Sequence, residues 1–195
     1  RCGTCPPVDG RAVARKDKRG RVVLALEERF MDQSLKLDNP FWQFSLQVYA
    51  APGVAQECLM LQDESGVSVN MLLYCAWRGT QGDALSASRI EKLNEIVEKW
   101  RSGVIKPLRS IRRSLPGVTS VDAVAREDLR SKILDAEIRA EQIEQALLFG
   151  ETDSHAGRGD KSASTIDANL NLYLSGYQRA VSSIPVLRRL LSSWR

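Results

Sequence analysis

Three glutamates recur along one predicted helix at a spacing that places their carboxylates on a single face. Glu137, Glu141 and Glu144 stand at positions i, i+4 and i+7, which share one side of a helix. Carboxylates arranged in this way ligate metal ions in helical bundles, but those sites also use histidines at helical spacing. The single histidine, His155, lies outside every predicted helix. We therefore expect no metal ion or other cofactor, and we interpret this face as solvated.

A cluster of basic side chains marks a shorter predicted helix over residues 104–115. At about 100° per residue, its cations fall within about a third of the circumference, opposite an apolar stripe. We expect them to project together into solvent, where nucleic-acid phosphates or an acidic protein would bind them; the alternative is a solvated face without a partner. The cations of this helix are Lys106, Arg109, Arg112 and Arg113, and Arg101, which precedes it, completes the candidate surface; the stripe comprises Val104, Leu108, Ile111 and Leu115.

Asn70 is the polar exception in the segment V-N-M-L-L-Y-C-A-W, residues 69–77. This predicted helix is apolar nearly all round, so we place it at the centre of the fold. A buried amide that lacks a hydrogen bond costs about 1–3 kcal/mol. Asn70 is therefore predicted either to fix this helix against a neighbouring backbone or to contact a ligand.

Other residues capable of chemistry lack the companions that their reactions require. Cys2 and Cys5 form a C-x-x-C pair, but a second pair of zinc ligands is missing from the sequence. His155 has the ordinary pKa of a general base, yet no G-x-S-x-G motif supplies a nucleophile, and no glycine-rich phosphate loop is present. The sequence therefore indicates no catalytic, cofactor-binding or metal-binding residues.

Composition and charge are those of one globular domain with an unusual beginning. Of 195 residues, 43% are hydrophobic and 27% charged, and the formal net charge is +4. Residues 1–30 carry eight Lys/Arg against four Asp/Glu, whereas the remainder carries 20 of each. We interpret 1–30 as a disordered or non-native basic extension before Met31, or alternatively as a basic arm that folds on an anionic partner. Residues 31–195 are the predicted helical domain.

Caps and breakers from residue 38 onward predict an all-α, single-domain helical bundle with a central buried helix and one long helix. No segment approaches the roughly 18 apolar residues of a membrane span. Two further cysteines, Cys58 and Cys75, lie in apolar patterns and favour a reducing, cytoplasmic location. The predicted helices cover about 40–51, 54–66, 69–77 closed by Gly79, 86–101 broken at Ser102–Gly103, and 104–115. A long helix follows from Ser120 or Asp122 to Phe149, and, after a flexible connector at 150–164, a helix capped by Thr165 is bent or restarted at Pro185.

Part of the chain resembles a bacterial family of small proteins known only as a domain of unknown function. The resemblance rests on N-P-F-W-Q-F-S-L-Q-V-Y-A-A-P-G-V-A-Q-E-C-L-M-L-Q-D-E-S-G-V-S-V-N-M-L-L-Y-C-A-W-R-G, residues 39–79. The segments W-R-S-G-V-I-K-P-L-R-S-I-R-R from Trp100 and A-E-I-R-A-E-Q-I-E from Ala136 are similar to the family's second half. The resemblance implies a helical domain that begins near Met31, and it implies no activity.

Three functions are compatible with these observations. The first is a non-enzymatic protein-interaction or regulatory module. The second is a nucleic-acid-associated protein that uses the basic helix 104–115. The third is an enzyme whose unrecognised site combines Asn70, the aromatic residues near Phe41 and Trp42, and the acids of the long helix. We expect the aromatic residues to belong to the core.

Overall fold

A computed structural model describes residues 35–152 and 162–194, and within these ranges the protein is all-α without strands. The predicted fold class is thereby confirmed. The extension 1–30 and residues 153–161 of the connector, which include His155, lie outside the described residues. The helices are α1 (Pro40–Tyr49), α2 (Val54–Ser65), α3 (Val69–Thr80), α4 (Ala87–Trp100), α5 (Lys106–Ser114), α6 (Ala123–Gly150), α7 (Ala163–Ser175) and α8 (Pro185–Ser192).

α3 is the central helix, as its apolar sequence predicts. Every residue from Asn70 to Gly79 is buried, and α1, α2, α6 and α7 all pack against this helix. Phe41 of α1 contacts two of its aromatic rings, Tyr74 and Trp77, with both pairs of centroids 5.3 Å apart. Aromatic pairs in these geometries add to the free energy gained by burying their area. The N-P-F-W segment thus supplies part of the core through Phe41.

Gly79 allows α7 to approach α3 closely. A Cβ at this position would lie 2.6 Å from the backbone Cα of Ile166, closer than real Cβ contacts. The prediction that Gly79 closes α3 is therefore wrong, because the helix continues to Thr80 and the glycine serves packing within it. Asn169 joins the same two helices, since its amide group donates to the carbonyls of Cys75 and Asp83.

α8 is held by a carboxylate that is distant in sequence. Buried Glu57 of α2 accepts hydrogen bonds from the backbone amides of Val186 at 2.9 Å and Leu187 at 2.8 Å. The first amides of a helix have no partner within that helix. The residue before Pro185 supplies no side-chain cap, so Glu57 caps α8 from another helix. Pro185 is the first residue of α8, which agrees with the predicted restart.

The sequence predicted a break between α4 and α5 at Ser102–Gly103. This prediction is wrong, because a π-helical turn, Arg101–Ile105, joins the two helices. The amide of Lys106 donates to the carbonyl of Arg101, five residues earlier. Pro107 lacks an amide hydrogen, so one helical hydrogen bond is missing next to this turn. The hydroxyl of Ser102 donates a hydrogen bond to the carbonyl of Glu98, and the helix continues through both residues. π turns are rare, and many of them lie at functional sites.

α6 is the long helix, as predicted, and its two halves differ in burial. Asp122 caps it by accepting hydrogen bonds from the amides of Val124 and Ala125. Residues 123–136 include no buried side chain, whereas the second half is buried at several positions. Among the described residues, no helix is long and apolar enough to cross a membrane.

Candidate functional site

An open groove lies between α6, from Leu134 to Gln145, and the helices α1, α2, α3 and α5, with a volume of about 550 Å³. We call it the α1–α6 groove. This volume falls within the range of about 300–1,000 Å³ that is typical of ligand sites. Its polar lining includes Ser45, Asn70, Gln145 and the three glutamates of α6 together with the five predicted basic residues. Its aliphatic rim comprises Leu46, Leu59, Leu134 and Ile138.

Asn70 lies in this groove within a buried polar network. Its amide nitrogen donates to Glu144 Oε2 at 2.8 Å, and its amide oxygen accepts a hydrogen bond from Gln145 Nε2 at 2.8 Å. Glu144, only 1% exposed, also accepts two hydrogen bonds from Arg101, at 2.9 and 2.6 Å. The network therefore connects α3, α6 and the π turn, and it does so through side chains rather than through the neighbouring backbone that the sequence predicted for Asn70.

A second pair of arginines surrounds Glu137, which is 4% exposed. Arg109 Nε donates to Glu137 Oε1 at 2.7 Å, and Arg112 Nε donates to Glu137 Oε2 at 2.6 Å. Arg109 also reaches Glu141, whose Oε1 accepts from its Nη2 at 2.6 Å. Charge-assisted hydrogen bonds of this length are among the strong ones in proteins. They fix α5 against α6.

The prediction that the basic cluster projects into solvent is wrong for Arg101, Arg109 and Arg112. All three turn towards α6, and Ile111, predicted to face the core, is 50% exposed instead. The physical reason is that buried carboxylates require positive partners, so that ion pairing with α6 determines which face of α5 points inward. The interpretation of the α6 glutamates as a solvated face is wrong for the same reason.

The two remaining basic residues lie at the outer edge of the groove. Lys106 Nζ is 3.6 Å from a Glu98 carboxylate oxygen, and Arg113 Nη2 is 2.8 Å from Asp63 Oδ1. Both pairs are exposed, and exposed pairs contribute at most about 1 kcal/mol to stability. Lys106 and Arg113 therefore keep the exposed positions that the sequence predicted for the whole cluster.

Burial and ion pairing shift the pKa values of the groove in opposite directions. Burial raises the pKa of Glu137, but hydrogen bonds from Arg112 and Arg109 more than offset it, and the net pKa lies below the ordinary value. Burial raises the pKa of Glu141, which Arg109 only partly opposes. Burial also raises the pKa of Tyr49 to about 12. The Tyr49 hydroxyl thus stays protonated at neutral pH, whereas Glu137 stays charged.

Two buried polar atoms of groove-lining residues, Ser45 Oγ and Gln145 Oε1, have no hydrogen-bond partner among the described residues. Each residue is 3% exposed. Buried polar side chains nearly always have a partner, so each exception requires an explanation. Two residues that line the groove therefore each keep one polar atom whose hydrogen-bonding capacity is unfilled within the described chain.

Sequence reasoning identified Asn70 and the charged residues but missed most of the remaining lining. Ser45 and Tyr49 stand one helical turn apart on α1, and Trp42 of the N-P-F-W segment is half-buried at the groove rather than in the core. The four aliphatic rim residues are ordinary helix positions in the sequence. Only the packing of α1, α2 and α6 reveals that they surround one opening.

No group of residues suited to hold a metal ion occurs in the described part of the chain. Neither the curated proteins nor the solved structures include a match to the chain. A family model described as a protein of unknown function (DUF2390) matches residues 40–148, which run from the start of α1 to two residues before the end of α6 and include every residue that lines the groove. The chain therefore belongs to this family of proteins of unknown function.

Proposed function

We propose that the protein is a non-enzymatic interaction or regulatory module, which binds an apolar segment of a partner protein in the α1–α6 groove. The rim is the observation that carries this proposal: four aliphatic side chains from three helices are each about two-fifths to one-half exposed around a single opening. They are Leu46, Leu59, Leu134 and Ile138. Grooves of this kind bind amphipathic helices through apolar anchors.

The groove's floor, as we call the ion pairs of Arg101, Arg109 and Arg112 with the α6 glutamates, favours this function over the two alternatives. Three of the five basic residues are engaged by α6 carboxylates, so few cations remain for nucleic-acid phosphates. Glu137 and Glu144 each hold arginine, whereas a general acid or base must exchange its proton during the reaction. A binding surface uses such fixed charges without changing them. Buried thiols at Cys58 and Cys75 support action in a reducing compartment, the cytoplasm.

Affinity purification from the native host tests this proposal when groove and control variants are compared. Leu46 lies on the rim and Leu129 on α6 away from the groove, and both are 47% exposed. Leu46→Glu places a charge in the opening, so we expect it to abolish recovery of the partner. Leu129→Glu makes the same chemical change elsewhere and should recover the partner as the wild type does.

Nuclease and salt distinguish the alternatives in the same experiment. A protein partner recovered through the groove should survive nuclease treatment, and its recovery should depend weakly on salt. Loss of all recovery after nuclease would contradict the proposal, since phosphate contacts give steep salt dependence. Equal recovery by Leu46→Glu and the wild type would contradict it as well.

A further inference from the structure

We infer that the partner segment contributes an uncharged hydrogen-bond donor, a side-chain amide or hydroxyl, that pairs with Gln145 and Ser45 in the lining of the α1–α6 groove. This inference rests on the proposed function, because it specifies the chemistry of the group that the groove accepts. It follows from the direction of the polar network, from the two unpartnered atoms and from the balance of charge.

The network determines which atom of Gln145 is unpartnered. A carboxylate only accepts hydrogen bonds, so Glu144 must face the amide nitrogen of Asn70, at 2.8 Å. The oxygen of Asn70 therefore faces Gln145, which must present its own nitrogen, again at 2.8 Å. Gln145 Oε1 remains without a partner among the described residues. The group that completes the network must donate a hydrogen bond.

Ser45 adds a second unpartnered polar atom from another helix that lines the groove. Its hydroxyl, on α1, is buried and has no partner within the described chain. A hydroxyl both donates and accepts, so it can pair with either atom of an amide or with another hydroxyl. An amide group offers two hydrogens and one carbonyl oxygen, and it therefore suits an acceptor and a hydroxyl together.

The balance of charge excludes a charged head group as the preferred ligand. The floor pairs three guanidinium groups, those of Arg101, Arg109 and Arg112, with three α6 carboxylates. A cation or an anion that entered this neutral network would lose its hydration without gaining a counter-ion. An uncharged donor loses far less on leaving water.

The rim indicates that the donor belongs to a protein segment. A small molecule that bound only the polar lining would leave Leu46 of α1 and Leu59 of α2 exposed in the same groove. A segment with apolar residues beside its amide or hydroxyl would cover the rim and floor together.

Titration of the full chain with four probes that share a six-carbon chain tests the chemistry of the floor. Hexanamide carries the donor, methyl hexanoate lacks it, and hexanoate and hexylammonium are charged. We expect hexanamide to shift the backbone amide resonances of Ser45 and Gln145, with a dissociation constant on the order of a millimolar for so small a ligand. The other three should bind at least about threefold more weakly, the difference that one hydrogen bond makes.

Two variants assign that preference to the floor. Ser45→Ala and Gln145→Met should each lower the affinity for hexanamide towards that for methyl hexanoate, without changing the latter. If Gln145→Met does not fold, Ser45→Ala alone decides the test. Equal binding of hexanamide and methyl hexanoate would overturn the donor inference while leaving the proposed function intact, as would preference for a charged probe. Absence of all binding would overturn the inference too, and the comparison of Leu46→Glu with Leu129→Glu would judge the proposed function separately.

Discussion

Replacement of Arg101 by glutamine removes the guanidinium that neutralises Glu144. Glu144 is 1% exposed and would retain a single side-chain hydrogen bond, the 2.8 Å contact from Asn70. Removing one partner of a buried ion pair costs about 3–5 kcal/mol, because the other charge stays uncompensated. The Arg101 side chain is 11% exposed, so its loss would admit some water. We therefore expect the free energy of unfolding to fall by about 3 kcal/mol, at the lower end of that range.

Arg113→Gln is the matched control for this prediction. Arg113 also forms an ion pair, with Asp63, but both of these side chains are about half exposed. We expect its replacement to change the free energy of unfolding by less than about 0.5 kcal/mol. Urea unfolding followed by circular dichroism measures both variants. Equal costs for the two, or a cost below about 1 kcal/mol for Arg101→Gln, would refute the conclusion that the floor is a buried ion-pair network.

Three further predictions concern packing, pH and capping. Gly79→Ala should destabilise the protein by about 1–3 kcal/mol, because its Cβ meets the Ile166 backbone; Gly103→Ala, with open space around its Cβ, should stabilise it by about 0.5–1 kcal/mol in thermal melts. Glu137→Gln should lower the free energy of unfolding above the ordinary Glu pKa of about 4.3, where the charged carboxylate stabilises the fold. The difference from the wild type should disappear as the pH falls through the lower folded pKa, and urea unfolding across this pH range would measure it. Glu57→Ala should lower stability by about 1–2 kcal/mol, as loss of a cap does, and faster amide exchange in α8 would report it.

The helices were predictable wherever local chemistry determines their ends. Asn39, Ser68, Ser86 and Asp122 each accept a hydrogen bond from an amide of the helix that follows, and such caps are visible in the sequence. The burial of α3 was predictable as well, because its apolar residues cover the whole circumference. These are properties of single segments.

The orientation of α5 was not predictable, because it depends on α6. Ile111 and Leu108 form an apolar stripe that would face the core if hydrophobicity alone determined the rotation of the helix. Glu137 of α6 requires two guanidinium groups, and Arg109 and Arg112 supply them. Periodicity describes one helix at a time, and it contains no information about the charge that a neighbouring helix presents. The groove was missed for the same reason, since its walls come from several helices.

Photocrosslinking in the native host tests most directly whether the α1–α6 groove is the binding surface. A photoreactive phenylalanine analogue is placed at Leu46 on the rim or at Leu129 away from it, two positions of equal exposure. We expect a discrete crosslinked product from position 46, with the mass of this chain plus a partner protein, and none from position 129. A product from position 129 and none from position 46 would contradict the assignment of the groove as the interaction site.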